Sequence, residues 1–280
     1  MLINFLKEIA AGWDTDKPAR LAAGLAYYSM FSLAPIIFIA LTVAGFFIDS
    51  VLLAEELFLR IGNLLGAETA TMIESLIDTA AESTEGATFI GSLIGILALL
   101  FAASGLFANL KYSMNTVWQV PPSEYSGILS FIKTRLIAFV IVIGLGIMLV
   151  VGTVLSLLIN WIGALFPTLE NLNLFGMIPV ILLVFISLLI FYKILPDTHV
   201  GWRDVWLPAL VITIMYLIGV WLVRVVIGGL NLTSALEAAG AIVILLMAIY
   251  YAAQIFLLGA EISKVFAYRF GSRKGMEISE

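Results

Sequence analysis

The chain has 280 residues and a net charge of −5, and 62% of its residues are hydrophobic while only 12% are charged. A soluble domain is about 45–50% apolar and about 25% charged, so this composition excludes an ordinary soluble globule. The absence of cysteine excludes disulfides, thiolate nucleophiles and cysteine-ligated metal sites, and the acidic balance argues against a general nucleic-acid binder, which usually displays a basic face.

Residues 1–19 are predicted to form an interfacial N-terminal helix on the inner surface of a membrane. Apolar residues that share one helical face there are Leu2, Phe5, Leu6, Ile9 and Trp13. Lys7 and Glu8 interrupt the apolar run, and no small-residue cleavage site follows, so the segment lacks the pattern of a secretory signal. The alternative is a solvated leader.

Six long uncharged stretches are candidates for membrane spans, since a helix needs about 20 largely apolar residues to cross the hydrocarbon layer. They are Leu21–Ile48, Gly86–Leu110, Leu136–Leu169, Asn171–Tyr192, Val205–Val223 and Ala238–Ala260. The third is too long for one span, and Trp161 with Pro167 predicts that its helix ends near Ile162. The sequence therefore predicts an all-α fold, an integral membrane bundle of six transmembrane helices.

The distribution of lysine and arginine predicts the orientation of this bundle. With the N-terminus inside, twelve basic residues fall on the inner side and only Arg60 and Arg224 on the outer side. Cytoplasmic loops carry an excess of such residues, so both termini are expected to be cytoplasmic. Residues 267–280 would then form a cytoplasmic tail. No linker divides the chain, and residues 1–280 are interpreted as a single membrane domain.

The longest segment outside the predicted spans, residues 49–85, carries eight acidic residues against one arginine. Apolar residues recur there at helical spacing in two stripes: Leu53, Leu57, Ile61 and Leu65, then Ile73, Leu76, Ile77 and Ala80. Residues 67–71 are expected to form the turn, with Thr69 as a helix cap. The pattern predicts an acidic extracytoplasmic cap of two amphipathic helices. It would be a lid or docking surface, or simply a loop that is helical.

Motifs for catalysis are sparse. The single histidine, His199, lies near Asp197 and Asp204, but no nucleophile elbow accompanies them, so a solvated turn histidine is the favoured interpretation. The sequence contains neither an HExxH zinc motif nor a Walker-type phosphate loop. It therefore predicts no metal, no cofactor and no enzymatic activity.

Polar residues within or near the ends of the spans are costly in a membrane and suggest a purpose. In the last span, Glu261 and Lys264 are three residues apart and can pair on one helical face, which Tyr250 and Gln254 share. The candidate contacts for a polar pathway or ligand are Tyr28, Ser32, Asn109, Lys111, Asn115, Gln254, Glu261 and Lys264. The alternative is that these residues only join helices, through hydrogen bonds worth about 0.6 kcal/mol on average, or snorkel to the headgroups.

Other span residues are expected to have structural roles. Pro35 removes a backbone donor and is expected to kink the first span. Gly91 and Gly95 form a close-packing motif in the second span. Arg224 and Glu237 are expected to pair across the turn between the fifth and sixth spans.

Three segments carry a resemblance to a known family. Leu25–Pro35, with the sequence LAYYSMFSLAP, closely resembles the first-span motif of the YihY/virulence factor BrkB membrane proteins. Tyr250–Glu261, YYAAQIFLLGAE, is similar to the last-span motif of that family, and Leu106–Pro121 is similar to the segment after its second span. One departure is Ala248, where the family often has tryptophan. The matching positions are Tyr28, Ser32, Pro35, Asn109, Asn115, Gln254, Gly259 and Glu261.

This resemblance implies six spans with cytoplasmic termini, but no established catalytic residues. Family members have carried the label ribonuclease BN, which is widely regarded as a misassignment, and some are linked to serum resistance or to export of lipid A precursors. The sequence itself disfavours a ribonuclease, since it has one histidine and its inner side carries twelve basic against nine acidic residues.

The leading functional hypothesis is a bacterial inner-membrane transporter or flippase-like protein that handles a lipid or another amphiphilic envelope molecule. Glu261 would couple to protons or bind a headgroup, with Gln254 and Lys264 assisting. The expected partners are membrane lipids, with envelope proteins at the acidic cap and no nucleic acid. The alternative is a non-transporting scaffold that organises envelope machinery. The sequence leaves the substrate, the energy source and the oligomeric state open.

Overall fold

The computed structural model describes residues 2–48, 50–82, 89–121, 128–165, 178–229 and 234–275. All regular secondary structure within these ranges is helical, which confirms the predicted all-α class. The helices are α1 (Leu2–Asp16), α2 (Pro18–Gly45), α3 (Ser50–Leu65), α4 (Ala67–Glu82), α5 (Phe89–Val117), α6 (Ile128–Leu165), α7 (Ile178–Ile194), α8 (Trp202–Gly229) and α9 (Ser234–Arg269).

Within the described residues, four helical segments are long and apolar enough to cross a membrane. They are Pro18–Gly45, Arg135–Leu155, Trp202–Leu222 and Gly240–Arg269. Helix α7 is also strongly apolar, but its 17 residues are fewer than the roughly 20 that a perpendicular crossing needs. The predicted fourth span starts at Asn171, and residues 171–177 lie outside the described ranges.

Helix α2 is the central element of the bundle, because it packs against α5, α6 and α9. It continues through Pro35 without a break in the helix. The largest buried apolar cluster joins α2, α5, α7, α8 and α9, and its members include Leu25, Met114, Tyr192, Ile212 and Leu257. Burial of one such side chain contributes about 1.5–3 kcal/mol when it is removed from water, and less when the reference environment is lipid.

Several helices extend beyond the predicted spans. Helix α6 runs over Ile128–Leu165, so it begins before Leu136 and continues past Ile162, where the sequence had predicted its end. A charged residue such as Arg135 ends an apolar stretch, yet it is a good helix former and does not end the helix. Helix α9 likewise continues to Arg269, so the predicted tail begins within a helix.

Helices α3 and α4 form a pair around Gly66, whose φ of 92° lies in the left-handed region that glycine tolerates. The turn is therefore at Gly66 and not at residues 67–71. The expectation that Thr69 caps the helix was wrong, because its Oγ1 donates back to the carbonyl of Leu65 at 2.9 Å. Ile73 and Ile77 pack with Leu245, so α4 lies against α9 through its apolar face.

Gly259 allows α9 to pass closely over α7 and α8. The hydroxyl of the fully buried Tyr192 donates to the carbonyl of Phe256 at 2.9 Å. A Cβ at position 259 would lie 2.6 Å from both Tyr192 Cζ and Ile212 Cγ1, and it would collide with the Tyr192 hydroxyl. The absence of a side chain at Gly259 is thus a packing requirement of this crossing.

We expect Gly259→Ala to lower the free energy of unfolding by about 1–3 kcal/mol, since the added methyl group overpacks the crossing. The measurement is equilibrium unfolding of the detergent-solubilised protein followed by tryptophan fluorescence. Gly144→Ala is the matched control, because a Cβ at Gly144 meets no atom within 4 Å. Equal stability of the two variants would contradict this account of Gly259.

Candidate functional site

A cavity of about 590 Å³ lies in the middle of the bundle. Its walls come from α2, α5, α6, α7, α8 and α9, and Leu57 of α3 contributes from one end. The lining is almost entirely aliphatic and aromatic, with Ser29, Ser187 and Tyr216 as its polar members. Ser187 donates to the carbonyl of Leu183 at 2.6 Å, so its hydroxyl is satisfied within α7. The volume falls within the 300–1,000 Å³ that is common for small-molecule sites, and the lining suits an apolar ligand.

A buried cluster of three charged residues joins α9 to the end of α1. The Lys264 ammonium lies 3.0 Å from Asp16 Oδ2 and 3.1 Å from Glu261 Oε2. The exposed fractions of the side chains are 3% for Lys264, 6% for Asp16 and 0% for Glu261. Two carboxylates thus share a single cation away from solvent, so loss of the lysine would leave two buried acids without a compensating charge.

Helix α1 supplies Asp16 because it packs lengthwise on α9. Ile9 contacts Ile262 and Val265 in a small buried cluster, and Glu8 forms an ion pair with Arg269. Gly12 lies directly against the Glu261 carboxylate, since a Cβ there would be 2.6 Å from Oε2. Sequence analysis missed Asp16, and the only signal was its helical spacing from Ile9 and Gly12.

This charged cluster is separate from the central cavity. Phe256 is the last residue of α9 that lines the cavity, and Glu261 lies five residues further on, about 7.5 Å along the helix axis. Leu257 and Ala260, which lie between them, are fully buried. Glu261 therefore does not reach the cavity, and it fastens α9 to α1 below it.

A second polar cluster lies where α5 approaches the turn after α7. Lys111 Nζ is 2.9 Å from Asp197 Oδ2, and Asn115 Nδ2 donates to the same oxygen at 2.9 Å. The backbone N–H of Asp197 donates to Asn115 Oδ1 at 2.9 Å, so the two residues bind each other reciprocally. A smaller cavity of about 220 Å³ is bordered by Lys111 and Asp197. Lys111 and Asn115 are both predicted site residues, whereas the sequence does not indicate Asp197 as their partner.

Asp204 fastens the C-terminal segment to the start of α8. The residue is fully buried, and its carboxylate accepts from the backbone N–H of Gly201 at 2.8 Å and of Ser272 at 3.0 Å. The Ser272 hydroxyl donates to the same carboxylate. A side chain at Gly271 would collide with this carboxylate. Sequence analysis considered Asp204 only as a neighbour of His199 and missed this anchoring role.

The sequence model of the family described as Virulence factor BrkB matches residues 9–279. The chain belongs to the virulence factor BrkB family.

Two relatives of this BrkB-family chain illustrate the range of names in use. A ribonuclease-like protein, YfkH, of Bacillus subtilis (strain 168) is 25% identical over 272 residues, which are 93% of this chain and 94% of that protein. A UPF0761 membrane protein of Alkalilimnicola ehrlichii (strain ATCC BAA-1101 / DSM 17681 / MLHE-1) is 30% identical over 119 residues, 42% of this chain and 26% of that protein. No solved structure matches the chain. Together with its apolar helices, the BrkB membership makes it a membrane protein.

The predicted site residues of this BrkB-family protein do not all lie in one place. Glu261 meets Lys264, and Lys111 meets Asn115 through Asp197. The remaining candidates do not join either cluster in the described contacts: Ser32 is buried and donates to the carbonyl of Ala102 at 2.7 Å, Tyr28 is exposed, and Asn109 lies beside Gly24. Gln254 is half-buried on α9.

Some predictions fall outside the part of the chain whose side chains are described. These are the packing at Gly91 and Gly95 and the pair of Arg224 with Glu237. Among the described residues, no group of three histidine, aspartate or glutamate side chains is arranged to hold a metal ion.

Proposed function

We propose that this BrkB-family protein is a multi-pass inner-membrane protein that binds an amphiphilic envelope molecule and moves it across the bilayer. The observation that carries the proposal is the apolar cavity of about 590 Å³ within the bundle. Most ligand sites combine apolar walls with a few polar groups that fix orientation. An acyl chain is the apolar group that a membrane supplies in abundance.

The proposed topology has six crossings. Helices α5 and α7 would be the fifth and sixth crossings, in addition to the four segments that are long and apolar enough to span a membrane. The lysine and arginine distribution would place both termini in the cytoplasm. The α3–α4 pair would then be extracytoplasmic and cover the outer end of the cavity, where Leu57 contributes to the lining. Both polar clusters would lie at the cytoplasmic end.

We also propose that the chain is not an enzyme. One relative is named ribonuclease-like, but this sequence has a single histidine, and that residue is exposed in the turn after α7. Its backbone carbonyl accepts from Arg273 at 3.3 Å, which is a structural role. Support for this proposal would be a lack of nuclease activity in the pure protein.

The experiment is lipid movement in proteoliposomes that contain a fluorescent phospholipid, with dithionite reporting how much dye reaches the outer leaflet. Ala252 lines the cavity and is an exposed residue, so Ala252→Phe adds a ring to the lining and disturbs little existing packing. We expect the protein-dependent rate to fall about tenfold, which corresponds to a rise of ~1.4 kcal/mol in the free-energy barrier to movement.

Val243→Phe is the matched control, because Val243 is on the same helix and is exposed without lining the cavity. This variant should move lipid at the rate of the unsubstituted protein. Equal rates for both variants, or no protein-dependent movement at all, would contradict the proposed transport through the cavity.

The exposed acids of α3 and α4 favour a scaffold as the second candidate. They are Glu55, Glu56, Glu68, Glu74 and Asp78. If the protein moves lipid, neutralising these five residues should leave lipid movement in the proteoliposome assay intact. If it is a scaffold, the same variant should lose the envelope proteins that co-purify with it. Neutralisation separates the two functions better than deletion of the segment, because α3 and α4 pack on α2 and α9 and deletion would open the cavity.

A further inference from the structure

Phe107 lies between two cavities of different character. This buried side chain lines the central cavity and also the smaller cavity of about 220 Å³. The smaller cavity is bounded by α5, α6 and the turn after α7, with Ile137 and Ile141 as apolar walls. Its charged residues are Lys111 and Asp197. An apolar chamber and a charged chamber therefore share one wall.

The charged chamber is open to a ligand. The exposed fractions of the side chains are 18% for Lys111 and 37% for Asp197, whereas no side chain of the Glu261 cluster exceeds 6%. The Asn115 side chain holds Asp197 in place, because its Nδ2 donates to the Asp197 carboxylate and its Oδ1 accepts from the Asp197 backbone N–H. The position of the negative group is thus fixed by α5, and the lysine faces it at 2.9 Å.

We propose that the molecule handled by this protein is a phospholipid with a zwitterionic headgroup, whose phosphate binds Lys111 and whose primary ammonium binds Asp197. This inference rests on the function proposed above and names its substrate class. One of its two acyl chains passes Phe107, which it displaces, and occupies the central cavity.

The charge balance of the chamber selects this headgroup. A phosphate accepts a charge-assisted hydrogen bond from the lysine ammonium, and an ammonium donates one to the carboxylate. A headgroup that carries only a phosphate would satisfy Lys111 but bring a second negative charge close to Asp197. The preference for a zwitterionic headgroup over an anionic one follows from this repulsion as much as from the attraction between the ammonium and Asp197.

The test is native mass spectrometry of the purified full chain with an equal mixture of phosphatidylethanolamine and phosphatidylglycerol that carry identical acyl chains. We expect the protein to retain phosphatidylethanolamine about tenfold more, which corresponds to ~1.4 kcal/mol. Asp197→Asn should bring the ratio to parity, because Asp197 is the group that distinguishes the two headgroups. Asp14→Asn is the matched control, because Asp14 is an exposed aspartate outside both cavities, and it should keep the preference.

A second measurement needs no variant and so does not depend on how Asp197→Asn folds. Phosphatidylethanolamine with a photoreactive diazirine next to its headgroup should label the peptides that contain Lys111 or Asp197 in the unsubstituted protein. Equal retention of the two lipids, an unchanged preference in Asp197→Asn, or labelling confined to other peptides would each overturn the site.

The two assays can overturn the proposed transport function and the proposed headgroup site independently of each other. Movement of both lipids at equal rates in the proteoliposome assay would overturn the headgroup site and leave transport standing. A clear preference for phosphatidylethanolamine in a protein that moves no lipid would leave the site standing and overturn transport.

Discussion

Replacing Lys264 with methionine is expected to lower the free energy of unfolding by about 3–5 kcal/mol, which is the usual cost of removing one partner from a buried ion pair. The substitution leaves Glu261 and Asp16 side by side without a cation, and neither carboxylate is more than 6% exposed. Methionine keeps most of the side-chain volume, so the effect reports charge and not a cavity. The measurement is equilibrium unfolding in detergent, followed by tryptophan fluorescence.

Two controls separate this effect from the loss of any lysine. Lys274→Met removes an exposed lysine near the end of the described chain and should leave stability within about 0.5 kcal/mol. The double variant Glu261→Gln with Lys264→Met removes one of the orphaned charges and should recover part of the loss. If Lys264→Met unfolds as easily as Lys274→Met does, the cluster is not a buried ionic fastening.

Glu261→Gln alone distinguishes a chemical role of this glutamate from a fastening role. The variant keeps the 3.0 Å pair of Lys264 with Asp16, so the bundle should retain its fold. If it also retains lipid movement, the proposed coupling of Glu261 to protons or to a headgroup is wrong. The position of Glu261 below the cavity makes fastening of α1 to α9 the simpler role.

The local pairing of Glu261 with Lys264 could be predicted from sequence, because residues three apart on a helix face each other. Their third partner, Asp16, could not be predicted from sequence. It is 248 positions from Lys264 and contacts the pair only because α1 packs on α9. The same holds for Asp197, which is 82 positions from Asn115. Apolar periodicity predicts helices, but it does not say which distant polar groups they bring together.

The central cavity was also invisible in the sequence. Its lining residues, such as Leu33, Ile36 and Phe256, are of the same type as the side chains of a close-packed core. Only the relative placement of α2, α6 and α9 leaves space between them. The apolar composition predicts that the helices exist, but it does not predict where they end. Charged residues mark the edge of an apolar stretch, and α6 continues through them.

Replacing Asp204 with alanine is expected to release the segment after α9 and to destabilise the protein by at least about 1.5–3 kcal/mol, the worth of one hydrogen bond to a charged group. The carboxylate accepts from Gly201, just before α8, and from Ser272, in the segment after α9, so its removal leaves both N–H groups without this partner. Trypsin should then cleave after Arg273 and Lys274 faster than in the unsubstituted protein. Mass spectrometry of the digest gives the rate at each bond.

Asp14→Ala is the matched control for Asp204→Ala, since Asp14 is an exposed acid at the end of α1. Its digestion should follow that of the unsubstituted protein. The Arg273 guanidinium also binds Thr198 and donates to the Tyr268 hydroxyl at 3.0 Å, so the segment has a second attachment. Unchanged cleavage in Asp204→Ala would mean that this second attachment holds the segment by itself. Faster cleavage would show that a single buried carboxylate joins the first turn of α8 to the end of the described chain.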